Sequence, residues 1–264
     1  MQGEQGWGTV DVLVIITIIV LVTATVALAA FVLAPRMAPG EVVYDAEPDR
    51  PLSFGYQMGW LAIRTRDTER VVERLALSDT LTANWDNGLG TVYSETDAGS
   101  AVFVSPPVNG WTFVVGLALP QPLGKAFVDK TIPLLLDLGS QFIEVQYYLA
   151  YPALDCFAWA RVIDGRVVRA YAINDEGVVW NKGKATKEEK TLGIKLYEVR
   201  GVKKRKGDAE GELVLYPTEQ HVMQLAGKWS LDPTRLETMM INPARGVIGR
   251  APLRGRPERL PRAG

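Results

Sequence analysis

CFAWARVIDGRVVRAYA, residues Cys156–Ala172, decides the fold class of this chain. Two runs of alternating side chains flank Asp164-Gly165, and Asp-Gly is a strong hairpin signal because both residues accept positive φ. On the outgoing run Phe157, Trp159, Arg161 and Ile163 point one way, and Ala158, Ala160 and Val162 the other. On the returning run Val167, Arg169 and Tyr171 oppose Val168, Ala170 and Ala172. One face of the hairpin is therefore large, aromatic and arginine-bearing, and the other small and apolar. The small face leaves room for a closely packed helix, and Ile132–Gly139, with Leu134, Leu135 and Leu138, is the candidate. The large face combines Trp159, Arg161, Arg169 and Tyr171, residue types that dominate interface hot spots. Those four are the candidate partner-binding residues. The competing expectation is that C-terminal helices cover them and that they are core.

Outward from the hairpin, Val145–Leu149 reads as the preceding strand. Further upstream a strand over Trp60–Thr65 leads into a helix over Thr68–Leu77, which Asp67 caps. Ser78–Ser100 is polar and turn-rich, with Asp86-Asn87-Gly88 as its strongest turn signal. Two β-rich runs, Ala101–Val104 and Trp111–Val115, flank Ser105-Pro-Pro-Val-Asn-Gly110, whose prolines predict a wider loop than Asn109-Gly110 alone. Thr131 is the expected cap of the leucine-rich helix.

Downstream, Lys182–Lys190 reads as a charged excursion. Two further strands are expected at Ile194–Val199 and Glu212–Tyr216, around Lys203-Lys204-Arg205-Lys206. Thr218 caps a helix over Glu219–Lys228, and Asp232-Pro233 opens a last short helix. Residues 242–264 carry six arginines against Glu258 and predict a basic disordered tail. These elements place an α+β domain over residues 53–241. The expected layout is a mainly antiparallel sheet with helices packed on one face, in a ferredoxin-like arrangement.

Ahead of this domain lies VLVIITIIVLVTATVALAAFVLA, residues Val12–Ala34, without a charge, a Pro or a Gly. As a helix it would reach roughly 34 Å, against a hydrocarbon core of about 30 Å. No face carries a polar stripe, and the preceding 1–11 tail has no Lys or Arg, so a core helix and a cleaved signal peptide both fit less well than a retained single-pass anchor. Arg36 and Arg50 follow the span, which predicts a cytoplasmic domain at the cell membrane, joined by a Pro-rich linker over residues 35–52. The lipid bilayer is thus one expected partner through Val12–Ala34.

The blocks Ser105-Pro-Pro-Val-Asn-Gly-Trp111 and Trp159-Ala-Arg-x-x-Asp-Gly165 resemble sequences of uncharacterised bacterial proteins, as does Trp60-Leu-Ala-Ile-Arg-Thr65. That resemblance spans much of Trp60–Leu192 and implies no activity.

Signals for chemistry are sparse. Net charge is −1, which gives no whole-chain field favouring nucleic acid, an unlikely partner here. Cys156 is the single cysteine and His221 the single histidine, so neither a cysteine-based zinc site nor a sequence-evident triad can be assembled. No Gly-rich nucleotide fingerprint follows a strand. No catalytic, cofactor-binding or metal residue is nominated. Carboxylate pairs such as Asp137 with Glu144, or Asp164 with Asp175, would serve acid–base chemistry only if the fold brought them together. The expectation is a membrane-anchored protein-interaction domain that is not an enzyme, a description bacterial toxin-neutralising (immunity) proteins fit. The alternatives are a tethered carboxylate-dependent enzyme, and attachment to anionic lipid or nucleic acid through the basic tail.

Overall fold

The computed structural model describes residues 14, 17–25, 47–94, 99–122, 128–175, 177–194 and 217–252. The chain divides into two units, Met1–Val43 and Tyr44–Gly264. In the first unit residues 14 and 17–25 are helical, with Val14 and Ile18–Val22 exposed. The Thr23 and Thr25 hydroxyls donate back to the carbonyls of Ile19 (2.9 Å) and Leu21 (2.7 Å), so neither needs an outside partner. No helix among the described residues is long and apolar enough to cross a membrane. Residues 12, 13, 15, 16 and 26–34 of the expected anchor lie outside the described residues, as do the 1–11 tail and linker residues 35–46.

The second unit is α+β, built on one nine-stranded sheet among the described residues. Its strands are β1 (Met58–Ile63), β2 (Ser78–Ala83), β3 (Ala101–Val104), β4 (Thr112–Val115), β5 (Glu144–Tyr151), β6 (Cys156–Ile163), β7 (Arg166–Asn174), β8 (Gly177–Lys182) and β9 (Gly246–Arg250). Their spatial order is β2-β9-β3-β4-β1-β5-β6-β7-β8, and every pairing is antiparallel. The helices are α1 (Thr68–Arg74), α2 (Trp85–Tyr93), α3 (Thr131–Gly139), α4 (Lys187–Thr191) and α5 (Glu219–Trp229). Short 3-10 turns occupy Pro152–Leu154 and Pro233–Thr238.

The expectation of helices on one face is corrected. Both faces of the sheet are apolar, so both need cover. On the aromatic face, Trp60, Phe103, Tyr148 and Trp159 form one core with α2 and α5. On the other, Leu61, Val114, Leu149 and Ala160 form a second core with α1 and α3. The ferredoxin-like layout fails as well, since nine strands in this order exceed a split βαβ unit.

The Asp164-Gly165 turn forms as expected, with φ values of 47° and 70° and Ile163 paired to Arg166. The small face of the hairpin does receive the leucine-rich helix: Leu135 and Leu138 of α3 join Ala158, Ala160 and Val162 in one cluster. Burying each leucine contributes roughly 2 kcal/mol. The alternation is broken once. A register shift beyond Arg161 puts Val162 opposite Val167, leaves Val168 exposed and turns Val167 onto the small face. Asp129, rather than Thr131, accepts from the Ile132 N–H at the start of α3 (2.9 Å). Asn109-Gly110 closes a tight turn between Val108 and Trp111 inside the proline-containing loop.

Three segments read as irregular are ordered elements. Ser78–Ser100 holds β2 and α2, and Asp86-Asn87-Gly88 is the first turn of that helix. A Cβ on Gly88 would sit 2.3 Å from the Phe103 ring, so the glycine marks close helix–sheet contact and not a turn. Asn84 accepts from the Asn87 N–H, and the Asp49 carboxylate accepts from Trp85 N (2.7 Å) and Asp86 N (2.9 Å). The end of the expected linker is therefore a helix cap, and Asp49 also bridges to Ala244. The expected tail supplies β9 at its start, inserted between β2 and β3. A Cβ on Gly246 would lie 2.3 Å from the Val104 carbonyl, which explains a strand with so little β propensity. Residues 253–264 lie outside the described residues, as do 195–216 with the two strands and the basic loop expected there.

Candidate functional site

The four nominated residues lie together on the aromatic face, as the alternation predicts, but they are not a surface. Trp159 and Arg169 are 0% exposed, Tyr171 is buried and Arg161 is half-buried. Trp159 and Tyr171 pack with ring centroids 4.9 Å apart, and the Arg169 guanidinium lies 5.5 Å from the Tyr171 ring. Helices α4 and α5 cover them, so the competing expectation of a core holds.

Two buried carboxylates balance the two arginines. Glu144 of β5 accepts from Arg161 Nε (2.7 Å) and from Gln146 Nε2 (2.7 Å). Gln146 also donates to the Trp229 carbonyl at the end of α5 (3.1 Å) and accepts from the Tyr148 hydroxyl (2.7 Å). Burial pushes the Tyr148 phenol well above its usual value, which keeps it protonated as the donor. Arg161 lies over the Trp229 ring at 5.5 Å. Glu189 of α4 accepts from Arg169 Nε (2.9 and 3.0 Å) and Trp159 Nε1 (2.8 Å), with both side chains of the ion pair fully buried. Gln146 and Glu189 are absent from the sequence-based candidates, where Glu144 stands only as a possible partner of Asp137. The available signals were polar residues at alternate positions of a strand otherwise buried, and the Thr186-x-x-Glu189 spacing of a capping box, which the structure forms.

The remaining candidates for chemistry are separated. Asp137 pairs with Arg74 (2.9 Å), while Glu144 pairs with Arg161. Asp164 and Asp175 flank opposite ends of β7. His221 serves the α5 capping box, its Nδ1 3.1 Å from Thr218 N. Among the described residues, no group of three or more His, Cys, Asp or Glu could hold a metal ion. Cys156 is buried, and burial, with the Asp175 charge second, pushes its thiol up to about 12. A thiol with that value is protonated at pH 8 and a poor nucleophile. The folded protein is therefore expected to resist alkylation by iodoacetamide at pH 8 and to react once unfolded in urea. Equal labelling of both states by mass spectrometry would contradict this placement.

Among the described residues, an open groove lies at the N-terminal end of α5, with a volume of about 810 Å³. Phe157, Met223 and Pro217 form its buried floor. Tyr56 and Asp155 stand exposed at its rim, with Glu219, Gln220, Gln224 and Asp232 along the helix side. A second hollow of about 560 Å³ shares Gln224 and Asp232 and adds Lys228 and Arg235, so the depression continues along α5. The rim is held firmly. Tyr93 Oη accepts from Gly55 N and donates to the Tyr56 carbonyl, both at 3.1 Å, and Glu219 accepts from Gln57 N (3.0 Å). Burial raises the Tyr93 phenol, which keeps that donor protonated. Among the described residues the groove is lined by carboxylates, amides, hydroxyls and the two aromatics Tyr56 and Phe157.

Comparison with known protein families, curated proteins and solved structures finds no match to this chain.

Proposed function

We propose that this is a single-pass membrane-anchored protein whose cytoplasmic α+β domain binds another protein through the groove along α5. The observation that carries the binding reading is the groove itself: an open, rigidly held depression with an exposed Tyr56 and an apolar floor. Among the described residues its first part is lined by Asp155, Glu219 and Asp232 and by no basic side chain, which favours a partner that presents lysine or arginine. The uncharged Val12–Ala34 stretch supports the anchor, and Arg36 and Arg50 support the orientation. An immunity-like role, neutralising a toxin at the membrane, is one form of this reading.

The test is affinity capture of the detergent-solubilised full chain, alongside a Gln224→Trp variant that fills the groove. Gln224 is exposed, so stability should stay within about 0.5 kcal/mol of the parent. A stoichiometric partner should be captured by the parent and lost from the variant. Equal capture by both would move the binding surface elsewhere, and no partner for either would sink the binding reading.

A further inference from the structure

The segment between Gly183 and Gly193 is attached to the domain in an unusual way. Its helix, α4, has five residues, far short of the about 12–15 an isolated helix needs. Its buried residue is not apolar but Glu189. The carboxylate meets Arg169 Nε with both oxygens and Trp159 Nε1 with one, a fork of donors suited to any carboxylate. The same guanidinium holds the start of the segment, through Nη1 to Asn181 Oδ1 (3.0 Å), Lys182 O (3.0 Å) and Gly183 O (3.3 Å). Arg169 Nη2 is buried without a hydrogen-bond partner among the described residues. Apolar attachment is confined to the far end, at Leu192 and Ile194.

Both ends carry a glycine in the left-handed region of the backbone. Gly183 has φ +75° and Gly193 has φ +68°, the backbone region that glycine enters without steric cost. Most of the cover on the two sheet faces comes from α2, α5, α1 and α3, and the segment adds only Leu192 to the apolar packing. A five-residue helix anchored chiefly through Glu189, with Leu192 packed at its far end and a glycine on either side, is a natural unit of local opening.

We propose that Gly183–Gly193 is a hinged strap whose Glu189 carboxylate is an internal ligand for Arg169 and Trp159, and that opening the strap frees this fork for a carboxylate on an acidic segment of a partner. The partner clause rests on the interaction reading above; the opening of the strap does not. Arg169 and Trp159 are then a covered receptor, occupied in the closed state by the chain's own carboxylate. This also accounts for hot-spot residue types lying beneath a short charged helix and not at the surface.

The test is hydrogen exchange, read by mass spectrometry, on the full chain in detergent. In the parent, amides of α4 should exchange at least about tenfold faster than those of β6, reflecting opening without unfolding of the sheet. Glu189→Ala should speed α4 exchange by a further factor of about ten or more and leave β5 and β6 within about twofold. Sodium propionate added to Glu189→Ala should raise its melting temperature in a saturable way, with sodium chloride at equal ionic strength giving no such rise. Exchange of α4 in step with β6 in the parent would overturn the strap, whatever the variant does. A strap that opens without saturable propionate binding would overturn the receptor. Loss of groove-dependent capture with both of these results intact would remove the groove reading alone.

Discussion

Trp159→Ala is expected to lower the unfolding free energy by about 3–5 kcal/mol, as fully buried tryptophans do when truncated. Trp159 is in β6, paired between β5 and β7, and its ring packs against Tyr171 at a tilt of 31°. The truncation leaves a void that the strands cannot close, because both neighbours are fixed by register. It also removes one of the donors on Glu189. Trp159→Phe separates the two contributions: it keeps most of the ring contact and loses the N–H, for an expected loss of roughly 1–2 kcal/mol. Urea unfolding of the full chain in detergent, followed by far-UV circular dichroism, reads both values. A Trp159→Ala variant as stable as the parent but unable to hold a partner would return these residues to the surface and refute their burial.

The same residues show how far the sequence could be read. The period-two alternation of Phe157–Ile163 placed the aromatic and small faces correctly, because strand geometry alone sets which side chains share a face. It could not say what lies on top. Trp and Arg on one face suit an interface and a satisfied core equally, and the deciding partners, Glu144 and Glu189, come from elements 17 to 30 residues away in sequence. Helix starts were legible at the side-chain caps Asp67, Thr218 and Asp232, whereas the caps at Asn84 and Thr186 lie in segments whose polarity reads as loop. Elements were lost where close packing dictates glycine. Gly88 sits under Phe103, and Gly246 sits against Val104, so α2 and β9 look like turn or tail until the neighbouring strand is known. The groove left no periodic trace at all. Tyr56, Asp155, Gln224 and Asp232 come from four separate segments, and only the topology brings them together.

Replacing Ile19 and Val20 together by Arg is expected to abolish stable membrane insertion of the proposed anchor. Both residues are within Val12–Ala34, seven or more residues from either end, where a spanning helix meets the hydrocarbon core. On the insertion scale each central arginine costs about 2.5–3.5 kcal/mol, so the pair opposes insertion by roughly 5–7 kcal/mol. Adjacent positions on a helix point about 100° apart, so no single rotation or tilt removes both charges from lipid. Snorkelling relieves an arginine near the interface and does little at the centre. The same double change near Pro35 should be tolerated, since that flank already carries Arg36. Alkaline carbonate extraction of membranes checks the result: the parent should stay in the pellet and the double variant should pass into the supernatant. Membrane retention of the double variant equal to that of the parent would mean that Val12–Ala34 is not what holds the protein, and the membrane-tethered reading would fall with it. The groove and the strap are features of Tyr44–Gly264 alone and would survive that outcome, now as parts of a protein without a tether.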